Sequence, residues 1–252
     1  MKIYVATGTT FNYLQRAEAF INSMSNLNDN ISKIVITLGF KISNEFKDRY
    51  PKVQFIFQDI NLIQNELTNK NCLQHGAFMD VMDFVNDDDI IIFSDGDVVI
   101  QRDINESEIS LLESFSDIDI GCNMNNFKAR SLESDFLLLQ PQVSFSQLKA
   151  IFDKYDLDNC LGYNTGLVIA KPKAWRKLRM VYKYDYNYID ETCLHYAKQQ
   201  LLINMICKNY LNIVEIRQTI HTHGHFGLPP FAHYENGILK VGEELVLFRH
   251  FL

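Results

Sequence analysis

Short apolar runs alternate with amphipathic stretches through the first half of the chain. Lys2–Thr7 (KIYVAT) reads as a buried strand punctuated by Gly8. Tyr13–Met24 sets Leu14, Ala17, Phe20, Ile21 and Met24 on one face at helical spacing. Lys33–Leu38 (KIVITL) is a second strand ended by Gly39, and Val53–Phe57 (VQFIF) is a third. Leu73–Val85 carries Ala77, Val81, Phe84 and Val85 at helical spacing, and Ile90–Phe93 (IIIF) is a fourth, wholly apolar strand. Strands that alternate with helices predict βαβ units, hence an α/β fold with a mostly parallel sheet flanked by helices.

Beyond position 100 the pattern is less regular. Asp119–Cys122 predicts a strand, Phe136–Lys154 is mixed, and Leu167–Ala170 (LVIA) is a clear strand ended by Lys171-Pro172. Thr192–Lys208 predicts a long helix with Leu194, Ala197, Leu201, Ile203 and Met205 among its apolar positions. Asn212–Ile216 predicts a late strand. Glu235-Asn236-Gly237 is a turn signal before Ile238–Val241, and after Gly242 comes Leu245–Phe248 (LVLF) as one more strand. No repeat, low-complexity segment or linker interrupts the chain, so residues 1–252 are expected to form a single domain.

Composition narrows the class. The 252 residues are 47% hydrophobic and 22% charged, and 12% aromatic content argues against disorder. Thirty-one acidic residues against 24 basic ones give a net charge of −7, and no basic run exceeds two residues. Nucleic-acid binding needs clustered Lys and Arg and is not expected. The apolar runs are far shorter than the ~20 residues that span a bilayer, and the opening residues are too short for a secretory leader. Five cysteines without C-x-x-C spacing read as buried free thiols in a reducing compartment. The expected location is the cytoplasm, with peripheral attachment to a membrane left open.

The sharpest chemical signal is Ser94-Asp95-Gly96-Asp97, directly after IIIF. Ligands of open α/β sheets bind beyond the carboxyl ends of the strands. Residues i and i+2 of extended chain point to one side, so Asp95 and Asp97 present two carboxylates together, with Gly96 letting the chain bend. That pair suits a hard divalent cation, Mn²⁺ or Mg²⁺, which keeps positions for phosphate oxygens and water. A Walker B acid would need a P-loop, and a dinucleotide fingerprint would need more glycines than Gly8-Thr9-Thr10 offers. The run Asp87-Asp88-Asp89 lies before the strand and reads as a solvated turn.

Five of the seven histidines are His221, His223, His225, His233 and His250. A neutral imidazole would complete a mixed site and favour Mn²⁺ over Ca²⁺. His221, His223 and His225 alternate, so they share one face if extended. His250 directly follows a predicted strand. Spacing alone does not choose among them. His195, in a predicted helix, reads as structural.

At this point the chain resembles a GT-A glycosyltransferase, similar to family 8-like and related nucleotide-diphospho-sugar transferases. Four segments carry the resemblance: Lys2–Thr7 with Asn12-Tyr13-Leu14 and Ser23-Met24; Asp95-Gly96-Asp97 as the DxD motif; Gly162-Tyr163-Asn164-Thr165-Gly166-Leu167 as the N-[ST]-G segment; and Val246-Leu247-Phe248-Arg249-His250-Phe251 as a closing strand with a metal-binding His. The resemblance implies a hexosyltransferase-like enzyme that moves a sugar from a nucleoside diphosphate donor, UDP-linked, to a hydroxyl acceptor such as a surface glycan. It implies Asp97 as principal metal ligand, Asp95 on metal or ribose, and His250 ahead of His223 as third ligand. Ala6, Thr7, Tyr13, His75 and Gly96 would face the nucleotide, and Asn164, Thr165 and Gly166 the sugars. The family's Asp-Gln pair after this segment is not reproduced in Lys198-Gln199-Gln200; Gln200 keeps the amide and Asp190 or Glu191, upstream, offers the carboxylate. The H-x-x-G-x-x-K-P-W ending is absent. Two other functions compete: a nucleotidyltransferase, which would want a basic Gly-rich loop after the first strand, and a non-catalytic nucleotide- or carbohydrate-binding protein.

Overall fold

A computed structural model of the chain describes residues 1–59, 84–124, 145–157, 160–179, 204, 208–223 and 228–250. Strands β1 (Ile3–Thr10), β2 (Ser32–Leu38), β3 (Val53–Gln58) and β4 (Ile90–Ser94) fall where the apolar runs predict them, each within a few residues. β6 (Asp119–Met124), β7 (Tyr163–Ala170) and β8 (Asn212–Glu215) complete a seven-stranded sheet in the order β3-β2-β1-β4-β7-β6-β8. The first four strands run parallel, β7 is antiparallel to both β4 and β6, and β8 is parallel to β6. β4 is buried along its whole length, as a continuous apolar strand inside a covered sheet must be.

Helix α1 (Leu14–Ser23) covers one face of this sheet. Its apolar stripe of Ala17, Phe20 and Ile21 packs with Ile3 and Val5 of β1 and Ile90 and Ile92 of β4. On the other face the helical stretch over 172–179 brings in Trp175, whose ring meets Phe93 edge-on with centroids 6.4 Å apart. Among the described residues, further α-helices are α2 (Asn44–Arg49), α3 (Glu106–Glu113) and α4 (Phe145–Tyr155). The predicted helices Leu73–Val85 and Thr192–Lys208 fall almost entirely outside the described residues.

Two smaller sheets frame the carboxyl edge. One joins β5 (Val98–Ile100), β13 (Phe248–His250) and β9 (His221–His223), with β13 central, antiparallel to β5 and parallel to β9. The other is a meander of β10 (Ala232–Glu235), β11 (Ile238–Val241) and β12 (Glu244–Leu245). The expected hairpin forms around Asn236 and Gly237, both at positive φ. The expected single strand Leu245–Phe248, however, divides. Leu245 pairs with Lys240 of β11, whereas Phe248 pairs with Ile100 of β5 and His221 of β9. The chain changes sheets at Val246-Leu247, both buried.

The small sheet is clamped to α1. Ile100 N–H donates to Ser23 Oγ at 3.0 Å and its carbonyl accepts from Asn26 Nδ2 at 2.7 Å. Arg102, just beyond β5, makes a two-pronged pair with Glu108 of α3 at 2.5 and 2.8 Å and donates to the carbonyl of Leu245 at 2.8 Å. Glu108 closes a capping box with Asn105 at the start of α3. Asp89 departs from the expected solvated turn: it is buried and accepts a 2.6 Å hydrogen bond from the backbone N–H of Lys2, tying the base of β4 to β1. Among the described residues no helix is long and apolar enough to cross a membrane, and Cys122 and Cys160 are free thiols.

Candidate metal and donor site

The end of β4 delivers Asp95 and Asp97 to the carboxyl edge of the parallel strands. One step past the last β4–β7 pair, Asp95 N–H donates to the carbonyl of Gly166 at 2.8 Å. Gly96 then lies against α1, where a Cβ would stand 3.2 Å from Cβ of Ala17. Close approach to the helix thus uses the missing side chain and turns the backbone into β5.

β13 supplies the third group. His250 pairs with Val98, so its imidazole comes in beside the two acids. One ligand atom from each of Asp95, Asp97 and His250 lies within 4.8 Å of the others, and Nε2 of His250 is 3.1 Å from Oδ1 of Asp97. A cation held at ~2.1 Å from each ligand places neighbouring ligands about 3 Å apart, so a small closure of this triangle suffices. Two carboxylate oxygens and an imidazole nitrogen form a donor set fit for Mn²⁺ or Mg²⁺.

The electrostatics agree with a cation-seeking triad. Burial pushes the Asp95 carboxyl up to about 6, the charge of Asp97 adds to this, and His250 opposes it. Burial acts in the same direction on Asp97, yet the hydrogen bond and charge of His250, with Arg16 further off, hold that carboxyl below its ordinary value. For His250 burial favours the neutral ring, but Asp97 and Asp95 outweigh it and raise its basicity.

Other expected residues can be placed. The backbone of His223 pairs with His250 in register, on the strand next to it. The ring of His221, fully buried, lies 5.8 Å from the His250 ring at a 32° tilt. Ala6 and Thr7 are fully buried within β1, and Thr7 Oγ1 finds no hydrogen-bond partner among the described residues. Tyr13 is 48% exposed at the start of α1. Asn164 and Gly166 are buried on either side of the half-exposed Thr165. Gln200, Asp190 and His75 lie outside the described residues. Arg16 escaped the sequence reading. It sits over the Tyr13 ring at 5.6 Å and acts on the charge of Asp97. Its one signal is a position one helical turn after Tyr13, behind the first strand.

The chain is similar in structure to several solved glycosyltransferases. The galactosyltransferase LgtC, crystallised with donor and acceptor sugar analogues, is 12% identical with a TM-score of 0.60, over 100% of this chain and 87% of that one. Mouse xyloside xylosyltransferase 1 is 13% identical with a TM-score of 0.57, over 99% of this chain and 96% of that one. The glycosyltransferase GlyE of Streptococcus pneumoniae TIGR4 is 14% identical with a TM-score of 0.59, over 100% of this chain and 55% of that one. No family model matches the sequence, and no curated protein matches it either. At these identities the likeness speaks to architecture, and the architecture of this chain is the GT-A fold, a mostly parallel mixed sheet flanked by helices.

Proposed function

We propose that this protein is a metal-dependent glycosyltransferase that moves a sugar from a nucleoside diphosphate donor, UDP-linked, to a hydroxyl acceptor. The observation that carries this reading is the convergence of Asp95, Asp97 and His250 at the carboxyl edge of a GT-A sheet. The three side chains would hold Mn²⁺ or Mg²⁺, with Asp97 the most exposed and therefore first to meet it; His223 is the reserve imidazole. The bound ion would supply the positive charge that a diphosphate leaving group needs as its bond to the sugar breaks.

The chain's own residues do the rest. Asp95 and Asp97 orient the ligand end of the donor beyond β4. Tyr13, exposed beside β1, would offer an aromatic face to the base, with Ala6, Thr7 and Gly96 as further nucleotide contacts and His75 proposed to join them. Thr165 stands at the half-exposed centre of Asn164–Gly166, on the sugar side. Gln200 and Asp190 are the proposed catalytic pair. The acceptor is a glycan or another hydroxyl compound. Free thiols at Cys122 and Cys160 suit work in the cytoplasm.

Isothermal titration with UDP, with and without Mn²⁺, tests this reading. Binding that requires Mn²⁺ is expected, together with release of free UDP from UDP-sugars. Metal-independent binding, or none, overturns it. Binding without any release of UDP would make the protein a binder rather than an enzyme.

A further inference from the structure

His250 lies directly on Gly166. A methyl group built at position 166 would come within 2.4 Å of Cε1 and 2.7 Å of Nδ1 of the imidazole, and within 2.8 Å of Oδ1 of Asn164. Carbon atoms in good contact stand about 3.5–4.0 Å apart, so no side chain fits while the ring is in place. Neither partner has an easy retreat. Gly166 belongs to β7, where hydrogen bonds to Asp95 and Asn164 hold its backbone, although pairing with β6 is interrupted between Asn164 and Ile169. The His250 side chain is only 15% exposed and sits on the central strand of its own sheet.

The backbone of Gly166 is held from both ends. Its N–H donates to Oδ1 of Asn164 at 2.8 Å, and its carbonyl accepts the N–H of Asp95 at 2.8 Å. One glycine therefore touches two of the three residues that converge at the site: the ring of His250 and the backbone of Asp95. Asn164, buried, spends its carbonyl oxygen on locking that glycine.

We propose that Gly166 is a positioning residue whose bare Cα is the seat of the His250 imidazole, with Asn164 as the lock of that seat. The proposal deepens the metal-site reading above and rests on it. With the ring laid on Gly166, Nε2 faces Asp97. Any side chain at 166 lifts the ring and separates the imidazole from the acids. In this arrangement the glycine serves ligand geometry.

The test is Mn²⁺ titration in the absence of donor, followed by electron paramagnetic resonance, with thermal melts of the metal-free proteins. It uses the wild type, Gly166→Ala, His250→Ala and the double variant. Gly166→Ala is expected to weaken Mn²⁺ binding by about tenfold or more. In the His250→Ala background the same change is expected to cost no further Mn²⁺ affinity, because the ring it would displace is gone; the crowding against Asn164 Oδ1 remains in both variants. The metal-free double variant is expected to melt no lower than Gly166→Ala. Wild-type affinity in Gly166→Ala, or losses that multiply in the double variant, overturns the seat while leaving the metal site standing. Failure of the wild type to bind Mn²⁺ overturns both. If Gly166→Ala does not fold, a cooperative melt regained on removing the imidazole supports the seat; one regained on Asn164→Ala with the imidazole kept, or on neither change, overturns it.

Discussion

Oδ1 of Asp97 and Nε2 of His250 stand 3.1 Å apart, brought together by the antiparallel pairing of β5 with β13. The contact joins the turn after the fourth strand to a strand formed far later in sequence. Asp97 is half exposed and bears little on packing, so its removal separates function from fold. Asp97→Ala is expected to abolish Mn²⁺-dependent UDP binding and to lower UDP-sugar turnover on the order of 10²-fold or more, with stability changed by no more than about 0.5 kcal/mol. Titration calorimetry, a UDP-release assay and a urea melt check the three parts. Unchanged turnover would reject the assignment.

Arg102 and Glu108 make the opposite case, a buried pair with no place in the chemistry. Their side chains are 18% and 8% exposed. Arg102 also donates to the carbonyls of Leu245 and Thr219, so it ties α3 to β12, which leads into β13, and to the turn before β9. Arg102→Met is expected to cost about 3–5 kcal/mol in urea unfolding, since it strands a buried carboxylate. Replacing both residues by apolar ones should recover part of that loss.

Asp119 should govern part of the acid limb. It accepts from Ser116 N–H at 2.7 Å and from Asn212 Nδ2 at 2.6 Å. Burial works to raise its carboxyl, but these hydrogen bonds win and hold it below the ordinary value. A depressed acid contributes stability that is complete above its unfolded value, about 3.9, and that is lost as pH falls through the folded value. Urea melts of Asp119→Asn between about pH 2 and 6 should show a flatter acid limb than the wild type. Parallel curves would refute this.

Trp175 is the chain's one tryptophan and is fully buried. Its Nε1–H donates to the carbonyl of Ala170 at 3.1 Å, and its ring meets Phe93 in β4. Trp175→Phe should lose about 1–2 kcal/mol through the lost hydrogen bond and volume. Native fluorescence should report unfolding of the main sheet and stay unchanged on Asp97→Ala.

The first four strands and α1 were legible because their signals are local. IIIF, VATG and KIVITL are runs whose burial is written in their own residues, and Ala17, Phe20 and Ile21 mark one helix face. The acid pair was legible for the same reason, being adjacent in sequence at a strand end. What escaped depends on partners distant in sequence. β5 has three residues and exists through pairing with β13. LVLF looks like one strand, but its two ends answer to different neighbours. Asp89 looks solvated within an acidic run until the N–H of Lys2 is placed beside it. Spacing could offer several tail histidines; among the described residues, the register Val98–His250 is what brings an imidazole to the acids.

The order in which the small sheet is threaded has a consequence for biosynthesis. β5 leaves the ribosome early, β9 much later, and the central strand between them last. A nascent chain can therefore complete every strand of the main sheet while Asp95 and Asp97 still lack the imidazole of His250. The meeting of one imidazole with two acids therefore waits on β13, a strand that can form only after both of its neighbours have been made.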